Sequence, residues 1–423
     1  MKIQKLHALF LTCHTVCTDT RKLSPDALFF ALKGDNFNGN MYAKQALKNG
    51  AKYAVIDDEH YNTKGAILVD NVLETLQKLA TYHRQYLQLP IIALTGSNGK
   101  TTTKELINAV LSKTYKTTAT VGNLNNHIGV PLTLLAMTDE TEIGIVEMGA
   151  NHQKEIAFLC DITQPDYGLI TNFGKAHLEG FGGVEGVIKG KSEMYTHLAN
   201  YKKIAFINAN DTIQLEKTTH ISRFTFGQAH ADINIKFIDA NPFVKLQYKN
   251  LSIESQLIGD YNFTNIAIAI TIGYYFKVPD QDIKAAIETY IPSNNRSQII
   301  KRGTNKIILD AYNANPTSMK AALLNFSKQN GLKLAVLGDM FELGKDAEEE
   351  HQNIVELATT LNINTVILVG KHFSKTLIHS KKVKSYKLFS NFIKNFNFSE
   401  IMHTHILIKG SRGIALERVL DYL

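Results

Sequence analysis

Most of the chemistry legible in this chain lies in one stretch, Thr95-Gly96-Ser97-Asn98-Gly99-Lys100-Thr101-Thr102-Thr103. It follows an apolar run, Ile91–Leu94, and precedes a helical pattern over Lys104–Leu111. Strand, glycine loop, Lys-Thr and helix, in that order, is the context of a phosphate-binding loop. Gly96 and Gly99 let backbone N–H groups, those of Ser97 and Asn98 among them, close round phosphate oxygens, and the helix N-terminus adds its positive dipole end. Lys100 supplies a point charge for the β- and γ-phosphates of a nucleotide, and Thr101, followed by Thr102, can hold Mg²⁺. Leu94 stands where the general GxxxxGK[ST] pattern has its first glycine, so this is a shorter GxxGKT form.

Other polar residues sit where strand patterns end. Glu147 closes the apolar run Ile143–Val146. Ligands of open parallel sheets bind beyond the carboxyl ends of strands, and a carboxylate there can reach the same Mg²⁺ as Thr101; a solvated strand-end acid is the plainer alternative. His177, in the glycine-punctuated NFGKAHLEGFGG, is a candidate metal ligand or phosphate contact, although a lone loop histidine is usually neither. Lys191, in VIKGKSEMY, reads on its own as a surface lysine at the start of a helix. The loop Gly122–His127 (GNLNNH) offers Asn123 and Asn126 either to a polar ligand or to simple turn chemistry. Nearer the C-terminus, Asp310, Asp339 and the pair Lys409 and Arg412 each follow a strand pattern. They suggest a second ligand-facing rim, with ordinary strand–helix loops as the alternative.

The elements that must position these residues fall into three stretches. Residues 1–88 mix short strands (Ala27–Leu32, Tyr53–Ile56) with helices (Met41–Asn49, Leu73–Gln88), and Leu89-Pro90 breaks the pattern. Residues 89–292 alternate strands (Ile91–Leu94, Glu142–Glu147, Tyr167–Thr171, Lys203–Asn208) with helical segments, which implies βαβ units and a mainly parallel sheet. Shorter period-2 runs over 221–257 add some antiparallel sheet, Tyr261–Phe276 reads as a buried helix, and YIPSNN (290–295) as a linker. Residues 293–423 begin again, with strands Lys306–Leu309, Leu332–Leu337, Thr365–Val369 and His405–Ile408 in a Rossmann-like pattern. The fold class expected is therefore α/β in three domains.

Composition sets the outer bounds. A chain of 423 residues suggests about three domains. Hydrophobic residues at 44% and charged residues at 20% exclude a disordered or collagen-like chain. A net charge of +7 spread over this length, with no basic-aromatic stripe, is not a nucleic-acid signature. The longest apolar run, Ile266–Phe276, is too short to span a bilayer, and Leu6–Leu11 is too short for a signal peptide. Cys13, Cys17 and Cys160 are too few for a disulfide framework, and no second ligand pair follows Cys13-His14-Cys17 at zinc spacing. A cytoplasmic protein with reduced thiols is expected.

Eight blocks then occur in order: TGSNGKTTT, VEMGANHQKEI, NFGKAHLEGFG, GKSEMY, GDYNFTNIAIA, DAYNANPTSM, LGDMFELG and IKGSRG. Together with the N-terminal CTDTRKLSPDALFFALKGDNFNG they resemble the ATP-dependent Mur ligases of peptidoglycan synthesis over essentially the whole chain. GNLNNHIGVPLTLL, GANHQ and YNANP favour the dipeptide-adding branch, with UDP-N-acetylmuramoyl-tripeptide and D-alanyl-D-alanine as substrates. A sibling adding a single amino acid, or a folylpolyglutamate synthetase-like enzyme, is the alternative. The resemblance implies an N-terminal domain for the UDP end, a central ATP domain and a Rossmann-like domain that delivers the amine; a monomer is expected. It implies two Mg²⁺ sites, with His177 at the second and Lys191 aligned with a carbamylated lysine. It also implies adenine contact by Asn265 beside Asn262, ATP contact by Arg296 and Asp310, and roles near nucleotide and substrate for Tyr312, Asn313, Lys409 and Arg412. Thr20, Arg21, Lys33 and Asn36 become the expected uridine-nucleotide contacts.

Overall fold

The computed structural model describes residues 1–292 and 295–423; two positions of the expected 290–295 linker, 293 and 294, lie outside the described residues. Three sheets organise the chain. The first has four parallel strands in the order Val16–Cys17, Leu28–Phe30, Tyr53–Ile56, Ala66–Leu68. The second has nine. From one edge run Thr117–Ala119, Ile143–Glu147, Ile91–Thr95, Tyr167–Ile170, Ile204–Asn208, Ser222–Gly227 and Ile233–Asp239, all parallel; Phe243–Tyr248 and Leu251–Ile258 then continue antiparallel. The third has six: Gln298–Arg302 pairs antiparallel with Asn305–Asp310, and Thr404–Lys409, Leu332–Gly338, Thr365–Val369 and Val383–Tyr386 follow in parallel. The fold is α/β, with mainly parallel sheets.

The central strands are buried along their length because helices cover both faces; all five residues of Ile91–Thr95 and of Ile143–Glu147 are inside. One covering helix, Asn262–Tyr275, is apolar almost all round and packs on Lys100–Leu111. That packing sets Asn265 on the start of the glycine-loop helix.

The helix Val72–Leu87 joins the first sheet to the second. Asn71 caps it, accepting the Glu74 N–H at 2.9 Å, and Val72, Leu76, Leu79, Ala80 and His83 form its buried face at helical spacing. Arg84 then crosses to the central unit, donating to the Thr163 and Gln164 carbonyls and pairing with Asp166 at 2.7 Å. Two expected elements shift. The loop helix begins at Lys100, not Lys104. The segment 41–49 divides into a 3₁₀ turn, Gly39–Tyr42, and a helix, Ala43–Lys48.

Candidate active site

The loop between Ile91–Thr95 and Lys100–Leu111 can be built only with its two glycines. Gly96 has φ +148° and Gly99 φ +80°, backbone that glycine adopts without steric cost. A Cβ on Gly96 would stand 1.9 Å from Thr171 Oγ1, and one on Gly99 2.4 Å from Asn265 Oδ1. The neighbours pressing in also hold the loop's shape. Thr171 Oγ1 donates to the Asn98 carbonyl at 2.6 Å, Asn98 N–H donates to Asn172 Oδ1 at 3.1 Å, and Ser97 Oγ donates to the Gly174 carbonyl at 2.8 Å. Lys100 Nζ folds back to donate to the Gly96 carbonyl at 2.7 Å. Burial lowers its pKa from the ordinary lysine value; Glu147 opposes the shift and Arg296 adds to it.

Glu147 ends the neighbouring strand, with Leu94 as its register partner. It is 1% exposed. Its Oε1 accepts from Thr101 Oγ1 at 3.2 Å and from Asn125 Nδ2 at 2.7 Å, while the buried Oε2 has no partner. An orphaned carboxylate oxygen beside a threonine hydroxyl at the head of a phosphate-type loop fits a hard divalent cation. Among the described residues no three His, Cys, Asp or Glu side chains gather as a metal cluster. Thr101 and Glu147 would thus leave most coordination positions to phosphate oxygens and water, the usual habit of Mg²⁺.

Lys191 is not the surface residue its local sequence suggests. It lies in the middle of the helix Val184–Asn200, is 0% exposed, and its Nζ has no hydrogen-bond partner. Nζ lies 5.2 Å from the centroid of the Phe181 ring. Burial drives its pKa well below the ordinary lysine value, Lys100 adds to that, and Glu155 opposes it. His177 lines the same cavity as the loop and pairs through Nδ1 with Glu342.

That cavity, of about 590 Å³, has the loop residues Ser97 to Thr102 on one wall with Asn123, Asn126, Glu147 and Asn265. On the facing wall are Arg296, Asp310, Tyr312, Asn313 and Lys409 from the last sheet and its approach. Lys409 Nζ pairs with Asp310 Oδ2 at 2.6 Å across adjacent strands, and the Arg296 guanidinium stacks 3.6 Å from the centre of the Tyr312 ring. Asn265 Oδ1 accepts from Thr103 at 3.1 Å, and Asn265 Nδ2 donates to Asn262 at 2.8 Å.

Two expected members of the second rim turn away. Asp339 is 1% exposed and accepts the N–H groups of His372 and Phe373, both at 2.9 Å; it ties two strand ends together. Arg412 is largely exposed, pairs with Glu417 at 3.1 Å and does not line the cavity. Thr20, Arg21, Lys33 and Asn36 also lie outside it. Arg21 pairs with Asp19 at 2.8 Å and Lys33 with Asp57 at 2.9 Å.

Several residues of the site are not singled out by the sequence. Asn125, between Asn123 and Asn126, is the amide that meets Glu147. Asn172 and Thr171 grip the loop from the next strand end, and Asn315 donates to Asn98 Oδ1 at 2.7 Å. A polar side chain at or just after a strand end is the signal that could have found most of them.

Comparison with known proteins places the chain among relatives along most of its length. Residues 12–84 match the model of the Mur ligase family catalytic domain, 94–273 the Mur ligase middle domain, and 295–411 the Mur ligase glutamate ligase domain. The UDP-N-acetylmuramoyl-tripeptide--D-alanyl-D-alanine ligase of Bacillus subtilis is 35% identical, over 97% of this chain and 93% of the relative. A crystal structure of MurF from Acinetobacter baumannii superposes with TM-score 0.88 at 30% identity, covering 99% of this chain and 98% of that one. MurF from Thermotoga maritima in complex with ADP superposes with TM-score 0.85 at 26% identity, covering 98% and 97%. The chain belongs to the Mur ligase family.

Proposed function

We propose that this chain is an ATP-dependent ligase that joins the amine of D-alanyl-D-alanine to the terminal carboxyl group of UDP-N-acetylmuramoyl-tripeptide, forming a peptidoglycan precursor with release of ADP and phosphate. The observation that carries this reading is one cavity framed by the phosphate loop on one wall and the Asp310–Lys409 pair on the other. The names of the similar proteins supply the substrates.

A peptide carboxylate is a poor acyl donor at neutral pH. Transfer of the γ-phosphoryl group to it gives an acyl phosphate; the free amine then attacks the acyl carbon, the C–O bond to phosphate breaks, and an amide remains. Both the carboxylate and the polyphosphate are anions, so cations must offset their repulsion and stabilise transition-state charge. Lys100 does so from the loop, with the N–H groups of Gly96 to Thr102 around the phosphates. Mg²⁺ held by Thr101 and Glu147, and a second ion by His177 and Lys191, supplies further neutralisation when bound. Burial favours the neutral amine of Lys191, the form that adds to CO₂ with loss of one proton. The carbamate would put an anion near Lys100 where the amine carried none, which would suit a metal site.

In this reading residues 1–88 hold the UDP end through Thr20, Arg21, Lys33 and Asn36. Residues 89–292 hold ATP, with Asn265 at the adenine, and Asn123 and Asn126 face the peptide. Residues 293–423 bring Arg296 and Asp310 to the nucleotide, and Tyr312, Asn313 and Lys409 to the incoming dipeptide. The enzyme works as a cytoplasmic monomer. Among the described residues no helix is long and apolar enough to cross a membrane.

The test is ATP hydrolysis measured with the UDP-muramoyl-tripeptide and D-alanyl-D-alanine separately and together. Turnover is expected only with both. A preference for one free amino acid over the dipeptide would assign the chain to a sibling ligase.

A further inference from the structure

A loop of the central unit meets a loop of the C-terminal unit. One carries His177 and the other Glu342, and both residues hold positive φ, +54° and +61°. That backbone is uncommon for residues with a Cβ and persists where the surroundings over-determine it. Here the surroundings are the two loops themselves. Glu342 Oε2 pairs with His177 Nδ1, and the Glu342 carbonyl accepts the Glu179 N–H at 3.3 Å. Gly344 packs so tightly on Glu179 that a Cβ there would lie 3.1 Å from the Glu179 Cβ.

The Nδ1 atom is buried and meets no partner in regular hydrogen-bond geometry among the described residues; what touches it is the Glu342 carboxylate, as an ion pair. Its engagement with a carboxylate leaves Nε2 as the ring nitrogen available to the cavity that His177 lines. Histidines that ligate metals usually give their second ring N–H to a carboxylate or carbonyl, which fixes both tautomer and ring orientation.

We propose that Glu342 is the positioning residue for His177: it receives the Nδ1–H, holds the ring in that tautomer, and so turns the Nε2 lone pair toward the cavity. Glu342 comes from the C-terminal unit and His177 from the central one, so the site is complete only when the two are docked. Docking then prepares the acid-activating site at the moment the amine-delivering unit arrives. The metal part of this inference rests on the reading of His177 given under the proposed function; the tautomer part does not.

The experiment is nitrogen-detected histidine NMR on the full-length chain, with the His177 signals assigned by difference from His177→Gln. The Nδ1–H form is expected in the wild type. In Glu342→Ala the ring should revert to the Nε2–H form that an unconstrained neutral histidine side chain favours. Mn²⁺ titration in the presence of a non-hydrolysable ATP analogue, read by electron paramagnetic resonance, should show the weaker of two sites loosened about 10–100-fold in Glu342→Ala, with the tighter site unchanged. An Nε2–H ring in the wild type overturns the proposal without recourse to any variant, so a Glu342→Ala chain that fails to fold does not protect it. An unchanged tautomer in folded Glu342→Ala overturns it equally. Unchanged Mn²⁺ binding overturns the metal part alone. A chain that failed the joint-substrate assay would refute the proposed substrates while leaving the tautomer result standing.

Discussion

Asn315 reaches from the C-terminal unit to the phosphate loop, where its Nδ2 donates to Asn98 Oδ1 at 2.7 Å. Its Oδ1 accepts the Ser318 N–H at 2.9 Å and caps the helix Pro316–Ser327 in a reciprocal capping box. One amide therefore caps the start of a helix with its oxygen and touches the phosphate loop with its nitrogen. Asn315→Asp separates the two roles. Aspartate caps as well as asparagine, so the melting temperature should hardly move. The donor to Asn98 is replaced by an anionic oxygen near the phosphates, and KM for ATP should rise about tenfold, the equivalent of about 1.4 kcal/mol. Asn315→Ala loses the cap as well and should cost about 1 kcal/mol of stability. Steady-state kinetics and thermal melts on the two variants check this; equal KM for ATP in wild type and Asn315→Asp would refute the loop role.

Glu147 pits stability against function. Its carboxylate is buried with one oxygen unpartnered, a costly arrangement in the absence of a cation. Glu147→Gln keeps the oxygen that accepts from Thr101 and Asn125 and removes the buried charge. Without Mg²⁺ the variant should melt at or above the wild-type temperature. With nucleotide present, the Mg²⁺ concentration for half-maximal activity should rise about tenfold or more. A loss of stability with unchanged Mg²⁺ dependence would make Glu147 a structural residue only.

Lys191 should behave in the same direction for a different reason. A buried amine with no hydrogen-bond partner contributes little to folding, so Lys191→Met should fold as stably as the wild type, within about 1 kcal/mol. It should nevertheless be inactive if the carbamate is required. Lys191→Ala, which leaves room, should regain part of its activity with added formate or acetate. Wild-type enzyme exchanged into CO₂-free buffer should lose activity and recover it with bicarbonate. Full activity of Lys191→Ala without any additive would exclude the role.

What the sequence disclosed follows from how local each signal is. The phosphate loop is contiguous, and its glycines, lysine and threonine act through neighbouring backbone, so it is readable directly. The helix after it reads as starting late because Thr101 and Thr103 are poor helix formers; in the fold their hydroxyls bond Glu147 and Asn265. Lys191 reads as a surface residue because a lone lysine at the start of a helix is ordinarily solvated, and Gly186 and Gly190 before it give no sign of close packing. They are packing glycines instead: a Cβ on Gly186 would lie 1.8 Å from the Phe181 carbonyl oxygen, and one on Gly190 2.5 Å from the Phe181 ring. Burial of a lysine is a tertiary fact that no nearby residue announces. The choice of Asn125 over its two neighbours, and the inward turn of Asp339, depend likewise on partners far along the chain.

The junction between the N-terminal and central units should make stability fall in mild acid. His7, on the helix Ile3–Phe10, bonds His83 through its Nε2 at 3.0 Å, and His83 bonds the Met137 carbonyl of the central unit at 2.9 Å. Both rings are buried. Burial first, and the neighbouring His83 second, lower the pKa of His7 from 6.5 to about 4; burial lowers His83 too, against its bond to Met137. The unfolded chain therefore binds protons as pH falls below about 6.5, whereas the folded chain resists until about 4. Across that window the unfolded state holds more protons, so stability rises with pH and is progressively lost on acidification. The loss from His7 is bounded at about 3.5 kcal/mol, because its pKa falls from 6.5 to about 4 and a tenfold difference in proton affinity between the two states corresponds to about 1.4 kcal/mol. Urea melts at pH 7.5 and pH 5 should show the wild type weakened at the lower pH. His7→Phe, which keeps the ring volume and removes the titrating group, should show a smaller difference between the two. An identical pH dependence in both proteins would mean that the acid sensitivity arises elsewhere in the chain.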